Sequence, residues 1–574
     1  PGCRTADQAR AVEAVLAAAR GPRRRPAVLV SHRGRGKSAA FGLAAARLLA
    51  EGREVLLTGP SLEAVAPVLA MARRELERLG VPLRRLGRGA LAADLPGGGR
   101  LRFLPPDRLA APEGALGEEA PREAGGHLLL VDEAAACPQP LLERLLERHP
   151  RLAFATTVHG YEGTGRGFAL RFRALLEARC RGLRWVRLEE PVRWGPGDPL
   201  EAFLDRALLL DAEPAPAAAW AAGPAPQAPR RADRDALARE EGRLRQAFGL
   251  LVEAHYRTRP LDLRHLLDGP NLALWLLEGG AGPAVAGVAL AAEEGGFGPE
   301  EAQAVAEGRR RPHGHLLPES LAAHLGLEEA PRLRMLRVVR LAVHPALRRR
   351  GLGRRLVATL AEEARRRGLD LLGAAFAADP ALLAFWARCG LVPVRLSLRP
   401  SAVSGRRSAL VLGAVSPAGA ELLEAAREAL ARRLPHQLAD PLQDLEPELA
   451  LALLAARPRR PVRLRPELWR EVAAFAFGRR VYEEALHAAW ALAVQALGRP
   501  EPALAPGEAA ALVLRLLQRR PWAACARALG VAGRPQVQAL LRAGLRALHL
   551  AHAPPELARE ALALEARCRG EGPP

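Results

Sequence analysis

The chain has 574 residues, 49% of them hydrophobic, more than a single core organises, so three or four folding units are expected. It contains no run of about 20 apolar residues able to span a bilayer and opens with no signal peptide. Its six cysteines (Cys3, Cys137, Cys180, Cys389, Cys525 and Cys568) follow neither disulfide-framework nor zinc-ligand spacing, so the expectation is a cytoplasmic chain with reduced thiols and no membrane partner. The net charge of +21 calls for a polyanionic partner, because each phosphate neutralised by an arginine releases condensed counterions. Compositional bias is visible in the abundance of Ala, Leu, Arg, Gly and Pro and the absence of Ile, but bias of that kind trades Lys for Arg without creating an excess over acids. The start at Pro1, without Met, sets an expectation of a processed or incomplete N-terminus.

In chain order, residues 1–215 alternate short apolar runs with helical stretches, an α/β pattern. The proline-rich stretch around 216–235 reads as a linker. Residues 236–415 again alternate strand-like and helical pieces. From 416 to 574 the pattern is almost purely helical, with apolar faces broken by pairs such as Arg459-Arg460, Arg479-Arg480 and Arg519-Arg520. The expected fold class is therefore α/β multidomain with a basic helical tail.

The first block carries a buried-strand run, Pro26 to Ser31, followed by His32-Arg33-Gly34-Arg35-Gly36-Lys37-Ser38-Ala39 and an Ala-rich helix. A strand, a glycine-rich turn and a helix make a phosphate cradle: Gly34 and Gly36 let backbone N–H groups face the phosphates, Lys37 reaches the β/γ oxygens, and Ser38 holds magnesium. Ser31 stands where the P-loop pattern usually has its first glycine. Lys37 is the only lysine among 84 basic residues, in a chain where arginine serves everywhere else, so a compact point charge is required at this position. Farther on, the strand-like run Leu128 to Val131 ends in Asp132-Glu133. Asp132 would organise the magnesium shell and Glu133 would orient the attacking water.

This block resembles the helicase-like module of the bacterial tRNA(Met) cytidine acetyltransferase family. The matching stretches are Asp7-Gln8, Thr58-Gly59-Pro60-Ser61, Phe103-Leu104-Pro105-Pro106-Asp107, Asp132-Glu133-Ala134-Ala135 and the run Thr156 to Phe168. The resemblance implies that Gln8 contacts the adenine of ATP and that Arg193, in Pro191-Val192-Arg193-Trp194, serves the nucleotide site. The family usually carries a further domain before this module, and this chain is expected to lack it. Two helicase-like lobes would have to be compact in about 215 residues, so local remodelling of an RNA stem-loop is expected, without processive unwinding.

In the third block, Met335 to Val343 reads as a strand that turns through His344-Pro345-Ala346-Leu347 into Arg348-Arg349-Arg350-Gly351-Leu352-Gly353-Arg354 and a helix. Arg-x-x-Gly-x-Gly between a strand and a helix is a pyrophosphate cradle and matches the acetyl-CoA loop of GNAT acetyltransferases. A Rossmann loop needs a third glycine where Leu356 stands. In the GNAT fold the edge of Leu341, Ala342 and Val343 pairs with the pantetheine arm, and the resemblance places Arg388 against acetyl-CoA. The family favours Gly-Ala-Ser-Phe-Gly where this chain has Gly373-Ala374-Ala375-Phe376-Ala377, so a hydroxyl is missing there. Further similar stretches are Glu253 to Pro260, Leu266-Leu267-Asp268 and Gly308 to Leu317. His344, at the strand's end, is a candidate general base, with a turn histidine capping the following helix as the alternative.

The whole reading is an ATP- or GTP-dependent transfer of acetyl from acetyl-CoA to N4 of the wobble cytidine of elongator tRNA(Met), with Mg2+ held through the nucleotide. The rivals are an acetyltransferase acting on another RNA or a protein amine, and an RNA-remodelling ATPase whose GNAT half only binds cofactor.

Overall fold

The computed structural model describes residues 2–86, 89–110, 127–157, 166–180, 182–221, 224–254, 260–280, 282, 284–401 and 405–570. The first sheet is built from β1 (Ala27–Ser31), β2 (Val55–Thr58), β3 (Leu83–Arg85), β4 (Ala90–Ala93), β5 (Arg100–Phe103), β6 (Leu128–Val131), β7 (Leu152–Thr157) and β8 (Arg184–Leu188). Their order is β3-β4-β5-β2-β6-β7-β1-β8. From β5 to β8 every pair is parallel, and β4 runs antiparallel to both β3 and β5.

The central strands are continuous apolar runs because helices cover both faces of the sheet. Alternation along each strand sorts the side chains into two cores. Ala27, Leu29, Leu57, Leu128 and Leu130 pack with the helices Ala6–Arg20, Lys37–Ala50 and Leu62–Arg78. Val28, Val30, Leu56, Leu129 and Val131 pack on the opposite face with Leu142 and Leu145 of the helix Gln139–Arg148 and with Phe172 and Leu176. All the parallel strands point the same way, so the residues following β1, β6 and β7 meet at one sheet edge, where α/β proteins place ligands.

The second sheet comprises β9 (Arg230–Arg231), β10 (Leu272–Gly279), β11 (Ala284–Gly295), β12 (Arg334–Val343), β13 (Leu371–Ala377), β14 (Val392–Leu396) and β15 (Ser408–Ala414), in the order β14-β15-β13-β12-β11-β10-β9. β12 and β13 are parallel, paired from Met335–Leu371 to Val338–Ala374, while β15 is antiparallel to both β13 and β14. The proline-rich stretch expected to act as a tether is more ordered than that. Arg230 and Arg231 pair with Leu276 and Trp275, and the amides of Gln227 and Ala232 donate to the carbonyls of Glu278 and Leu274. Prolines are tolerated here because β9 is an edge strand, where missing N–H donors leave no ladder unsatisfied.

The helical region runs through Pro417–Ala439, Pro447–Ala455, Pro466–Ala476, Tyr482–Ala496, Pro506–Ala511, a π-helical turn Leu512–Leu517, Trp522–Leu529, Arg534–His552 and Pro555–Arg569. Proline repeatedly opens a helix here, because its missing N–H falls where no intrahelical acceptor exists. Trp469, Phe475 and Tyr482 are buried at the centre, with the His549 ring edge-on to Trp469 at 5.1 Å. By packing, the chain falls into two compact units: Pro1–Leu290 with Arg340–Leu356 and Ser401–Arg406, and Ala291–Val339 with Val357–Pro400 and Arg407–Pro574. Among the described residues no helix is long and apolar enough to cross a membrane.

Candidate functional site

The turn after β1 is shaped by two left-handed glycines, Gly34 (φ +82°) and Gly36 (φ +83°), the latter immediately before the helix Lys37–Ala50. A Cβ on Gly34 would lie 2.6 Å from the Trp194 ring, and one on Gly36 would lie 2.7 Å from Gln8 Nε2. The loop is thus pressed from two sides, and only glycine leaves room. Gln8 Nε2 donates to the Gly36 carbonyl (3.3 Å) while its Oε1 accepts from the Arg4 amide (2.8 Å). On the other side the Val192 amide donates to the Gly34 carbonyl at 2.9 Å. Arg35 forms an ion pair with Glu201, which also accepts from Trp194 Nε1 (2.8 Å), and the Arg35 guanidinium lies 5.7 Å from the Trp194 ring centre.

Asp7 anchors this frame. Its Oδ2 accepts from the amides of Glu189 (2.8 Å) and Glu190 (3.1 Å), the residues leading into Pro191–Trp194. Burial pushes its carboxyl up, but those two amides and the Arg10 guanidinium outweigh burial and hold it below the ordinary value.

Lys37 is buried, with Nζ donating to Ser31 Oγ at 2.9 Å and lying 3.5 Å from the His32 carbonyl. Ser31, a departure from the glycine pattern in sequence, is therefore the residue that holds the lone ammonium. Ser38 and Ala39 occupy the next positions at the helix's N-terminal end, and Arg33 is exposed at the tip of the loop. β1 pairs with β7 so that Ser31 stands beside Thr157, whose hydroxyl donates to Glu133 Oε2 (3.2 Å). Glu133 takes a left-handed conformation (φ +48°), uncommon for a side chain of this size and of the kind that clusters at functional sites. Asp132 is fully buried, its Oδ1 accepting from the Glu133 amide at 3.0 Å. Burial together with the charges of Asp132 and Glu133 pushes the Cys137 thiol up to about 12.

The structure thus gathers the predicted Lys37, Ser38, Asp132 and Glu133 at one sheet edge, with Gln8 behind the loop and Arg193 exposed on the segment that clasps it. Gln8 is only 2% exposed and its amide is spent on Arg4 and Gly36, a placement that supports the loop rather than reaching outward to an adenine. Sequence reasoning named Thr157 and Trp194 only as parts of family-like stretches, without a role of their own, and missed Glu201, which nothing local marked. Residues 158–165 of the run Thr156 to Phe168 and residues 255–259 of Glu253 to Pro260 lie outside the described residues.

At the second cradle, β12 runs through Leu341, Ala342 and Val343 into a 3-10 turn, Pro345–Leu347, and the helix Leu352–Arg366 follows. Arg349 (φ +66°) and Gly351 (φ +81°) bend the loop so that its amides and the helix N-terminus gather at one place, and a Cβ on Gly351 would meet nothing within 4 Å. Arg348, Arg349, Arg350 and Arg354 are exposed around it, and Gly353 lies in the first turn of the helix. Exposed arginines thus surround the N-terminal end of this helix, where the helix dipole adds partial positive charge. Arg388 is exposed at the end of the helix Pro380–Arg388. In that same helix Trp386 is buried with its ring 5.9 Å from Phe376, a packing role.

His344, the general-base candidate, is held inside the fold. Its Nε2 lies 2.7 Å from the Ala215 carbonyl, its Nδ1 accepts from the Ala346 amide (3.3 Å), and the ring is 4% exposed. Both ring nitrogens thus face backbone partners inside the fold. The turn-capping alternative is the one the geometry supports.

The family model described as RNA cytidine acetyltransferase NAT10/TcmA, helicase domain, matches residues 28–211, and the model for GNAT acetyltransferase 2 matches residues 246–364. The tRNA(Met) cytidine acetyltransferase TmcA of Nitrosococcus halophilus is 52% identical over 564 residues, covering 97% of this chain and 73% of the relative. The proteins of the same name from Haloferax volcanii (41% identical; 91% of this chain, 68% of the relative) and Vibrio cholerae (35% identical; 94% and 72%) align over similar lengths. With a P-loop sheet and a GNAT cradle in that order and identity of this extent, the chain is an enzyme of the tRNA(Met) cytidine acetyltransferase family.

Proposed function

We propose that this protein transfers acetyl from acetyl-CoA to N4 of the wobble cytidine of elongator tRNA(Met), coupled to hydrolysis of ATP or GTP. The observation that carries the reading is the presence, on one polypeptide of this family, of two strand–loop–helix anion cradles built differently. One is closed around a buried lysine with two acids beside it; the other is open and ringed by arginines. Residues 1–215 act as the nucleotide-hydrolysing module, 216–235 as its connection, 236–415 as the acetyltransferase and 416–574 as the tRNA-binding tail.

In the first module the loop Arg33 to Ala39 wraps the triphosphate, with Lys37 leaving Ser31 for the β/γ oxygens. Ser38 and Asp132 hold Mg2+ through the nucleotide and its waters, Glu133 orients the attacking water, and Arg193 serves the γ-phosphate. Gln8 acts by keeping Gly36 in place. The nucleoside triphosphate supplies the free energy of phosphoryl transfer. A partly stacked loop base costs a few kcal/mol to extrude, and remodelling of the tRNA loop by the first module meets that cost.

In the second module Leu341 to Val343 pair with the pantetheine arm, while the loop Arg348 to Arg354, with Arg388, takes the cofactor's phosphates. Acetyl-CoA supplies an activated thioester acetyl group. The cytidine amine is neutral and conjugated, so its proton leaves as the N–C bond forms; the C–S bond breaks, the expelled coenzyme A thiolate ends with that proton, and backbone N–H groups along the strand steady the developing oxyanion. The reaction runs where tRNA, coenzyme A and nucleotides meet, in the cytoplasm.

The test is incubation of the full chain with labelled acetyl-CoA, unmodified tRNA transcripts and ATP, GTP or neither, followed by nucleoside mass spectrometry. Acetylated cytidine in elongator tRNA(Met), lost in Lys37→Ala while acetyl-CoA still binds, is the expected result. Label in another RNA or in a protein amine, or hydrolysis without transfer, overturns the reading.

A further inference from the structure

Between the helices Pro447–Ala455 and Pro466–Ala476 the chain runs as a proline-punctuated arm, Arg457-Pro458-Arg459-Arg460-Pro461-Val462-Arg463. The arm is clasped at both ends. At one end the Arg457 guanidinium donates to three carbonyls, Leu454 (3.0 Å), Val494 (2.7 Å) and Leu497 (3.0 Å), closing the C-terminal ends of two helices at once. Carbonyls at the end of a helix are left short of intrahelical donors, and a cation is the favourable group there. At the other end the Gln495 side chain pairs with the Arg463 backbone in both directions, Arg463 N to Oε1 (2.9 Å) and Nε2 to Arg463 O (3.2 Å), as a neighbouring strand would. The side chains between the clasps project from a fixed backbone.

This arm and the end of the helix Tyr482–Ala496 enclose a cavity of about 580 Å³ whose lining includes Arg457, Arg459, Arg460, Arg463 and Arg499. The lining contains no carboxylate and no aromatic ring. Among the described residues one ion pair reaches these arginines, Arg460 with Glu428 at the rim. Arg499 is turned onto backbone carbonyls, those of Gln495 (3.0 Å) and Arg460. Burial first, and then the neighbouring Arg499 charge, bring Arg457 down to about 10, and burial with the Arg459 charge lowers Arg499. Uncompensated cations held this close stabilise the fold less than they would beside an anion.

We propose that this clasped arginine arm is a binding site for the phosphodiester backbone of the RNA substrate, contacting consecutive phosphates without reading or stacking on bases. The absence of an aromatic platform argues against base stacking. Positive charges distributed along an arm, instead of focused on one point, suit a run of phosphates better than a single free anion. The proposal rests on tRNA being the substrate, as set out above.

The test uses the full chain with Arg459→Glu and Arg463→Glu together, which spares the structural Arg457. A second variant with the same change of charge, Arg559→Glu with Arg567→Glu, is at exposed positions of the last helix outside the lining of the cavity. Affinity for unmodified tRNA is measured across a salt series, with tripolyphosphate as the small-anion probe, and melting profiles confirm that both variants fold. The expected result for the arm variant is tRNA binding weakened roughly tenfold or more and a log–log salt slope shallower by about 1.5–2. The KM for tRNA rises and kcat at saturation is kept, while the helix variant changes far less. Wild-type affinity and slope in the arm variant overturn the proposal, as does equal weakening by both variants. Loss of tripolyphosphate binding with tRNA binding intact also overturns it, in favour of a small-anion site. If the wild-type protein acetylates no tRNA, the substrate reading fails; if it does and the arm variant matches it at every tRNA concentration, only the groove fails.

Discussion

Replacing Gly36 by alanine tests the nucleotide cradle against an internal control, because Gly351 in the other cradle has nearly the same left-handed φ (+83° and +81°). Forcing an alanine into the left-handed region costs about 1–2 kcal/mol at either site. The gain from a stiffer unfolded chain is also common to both and drops out of the comparison. The difference lies in the surroundings. At Gly351 the new Cβ meets nothing within 4 Å, whereas at Gly36 it would sit 2.7 Å from Gln8 Nε2 and 3.2 Å from a Val192 methyl. Gln8 is a buried side chain, so relief of that overlap sacrifices its bonds to the Gly36 carbonyl and the Arg4 amide, at about 0.5–1.5 kcal/mol each. Gly36→Ala should therefore cost about 2–5 kcal/mol locally and Gly351→Ala about 1–2. Segment-resolved hydrogen exchange of the helices Lys37–Ala50 and Leu352–Arg366 reads the two opening free energies separately. Calorimetric titration should show at least a tenfold loss of nucleotide affinity in Gly36→Ala. Equal costs at the two sites, or an unchanged nucleotide affinity, would refute the steric argument.

Three further outcomes are expected. His344→Asn should lower stability by about 1–3 kcal/mol through the lost contacts to Ala215 and Ala346, yet leave the shape of the pH–rate profile for acetyl transfer unchanged; disappearance of one limb in a folded variant would restore the general-base reading. Cys137, whose thiol stays neutral until about pH 12, should resist iodoacetamide at pH 8 in the folded protein; peptide mass spectrometry showing it labelled as fast as Cys568 would contradict that. Because the folded Asp7 carboxyl sits below its ordinary value of 3.8, its contribution is present above that pH and is lost as pH falls through the lowered folded value. The stability gap between the wild type and Asp7→Asn, followed by thermal melts from neutral pH downward, should therefore narrow on the acid side.

The sequence by itself determined the local architecture of both cradles. The glycines at 34, 36 and 351 are legible because no other residue takes a left-handed turn at so little cost, and a lone lysine stands out where arginine suffices elsewhere. Strand, turn and helix are short-range patterns, and the relation to a family rests on the same local runs. Only the tertiary structure decided what surrounds those runs. Ser31 looked like a flaw in the phosphate loop until the fold brought the Lys37 ammonium to its hydroxyl. Thr157 falls in a family-like run that gives it no role, and acquires one only because β7 is the strand inserted between β1 and β6. His344 sat where a base could stand, but Ala215, 129 positions away in the chain, occupies its second nitrogen. The arginines of the tail read only as a basic helical stretch; the carbonyl ends of two helices fix Arg457, and its neighbours line a common cavity. Hydrogen-bond partners distant in sequence are set by packing, and packing leaves no periodicity to read.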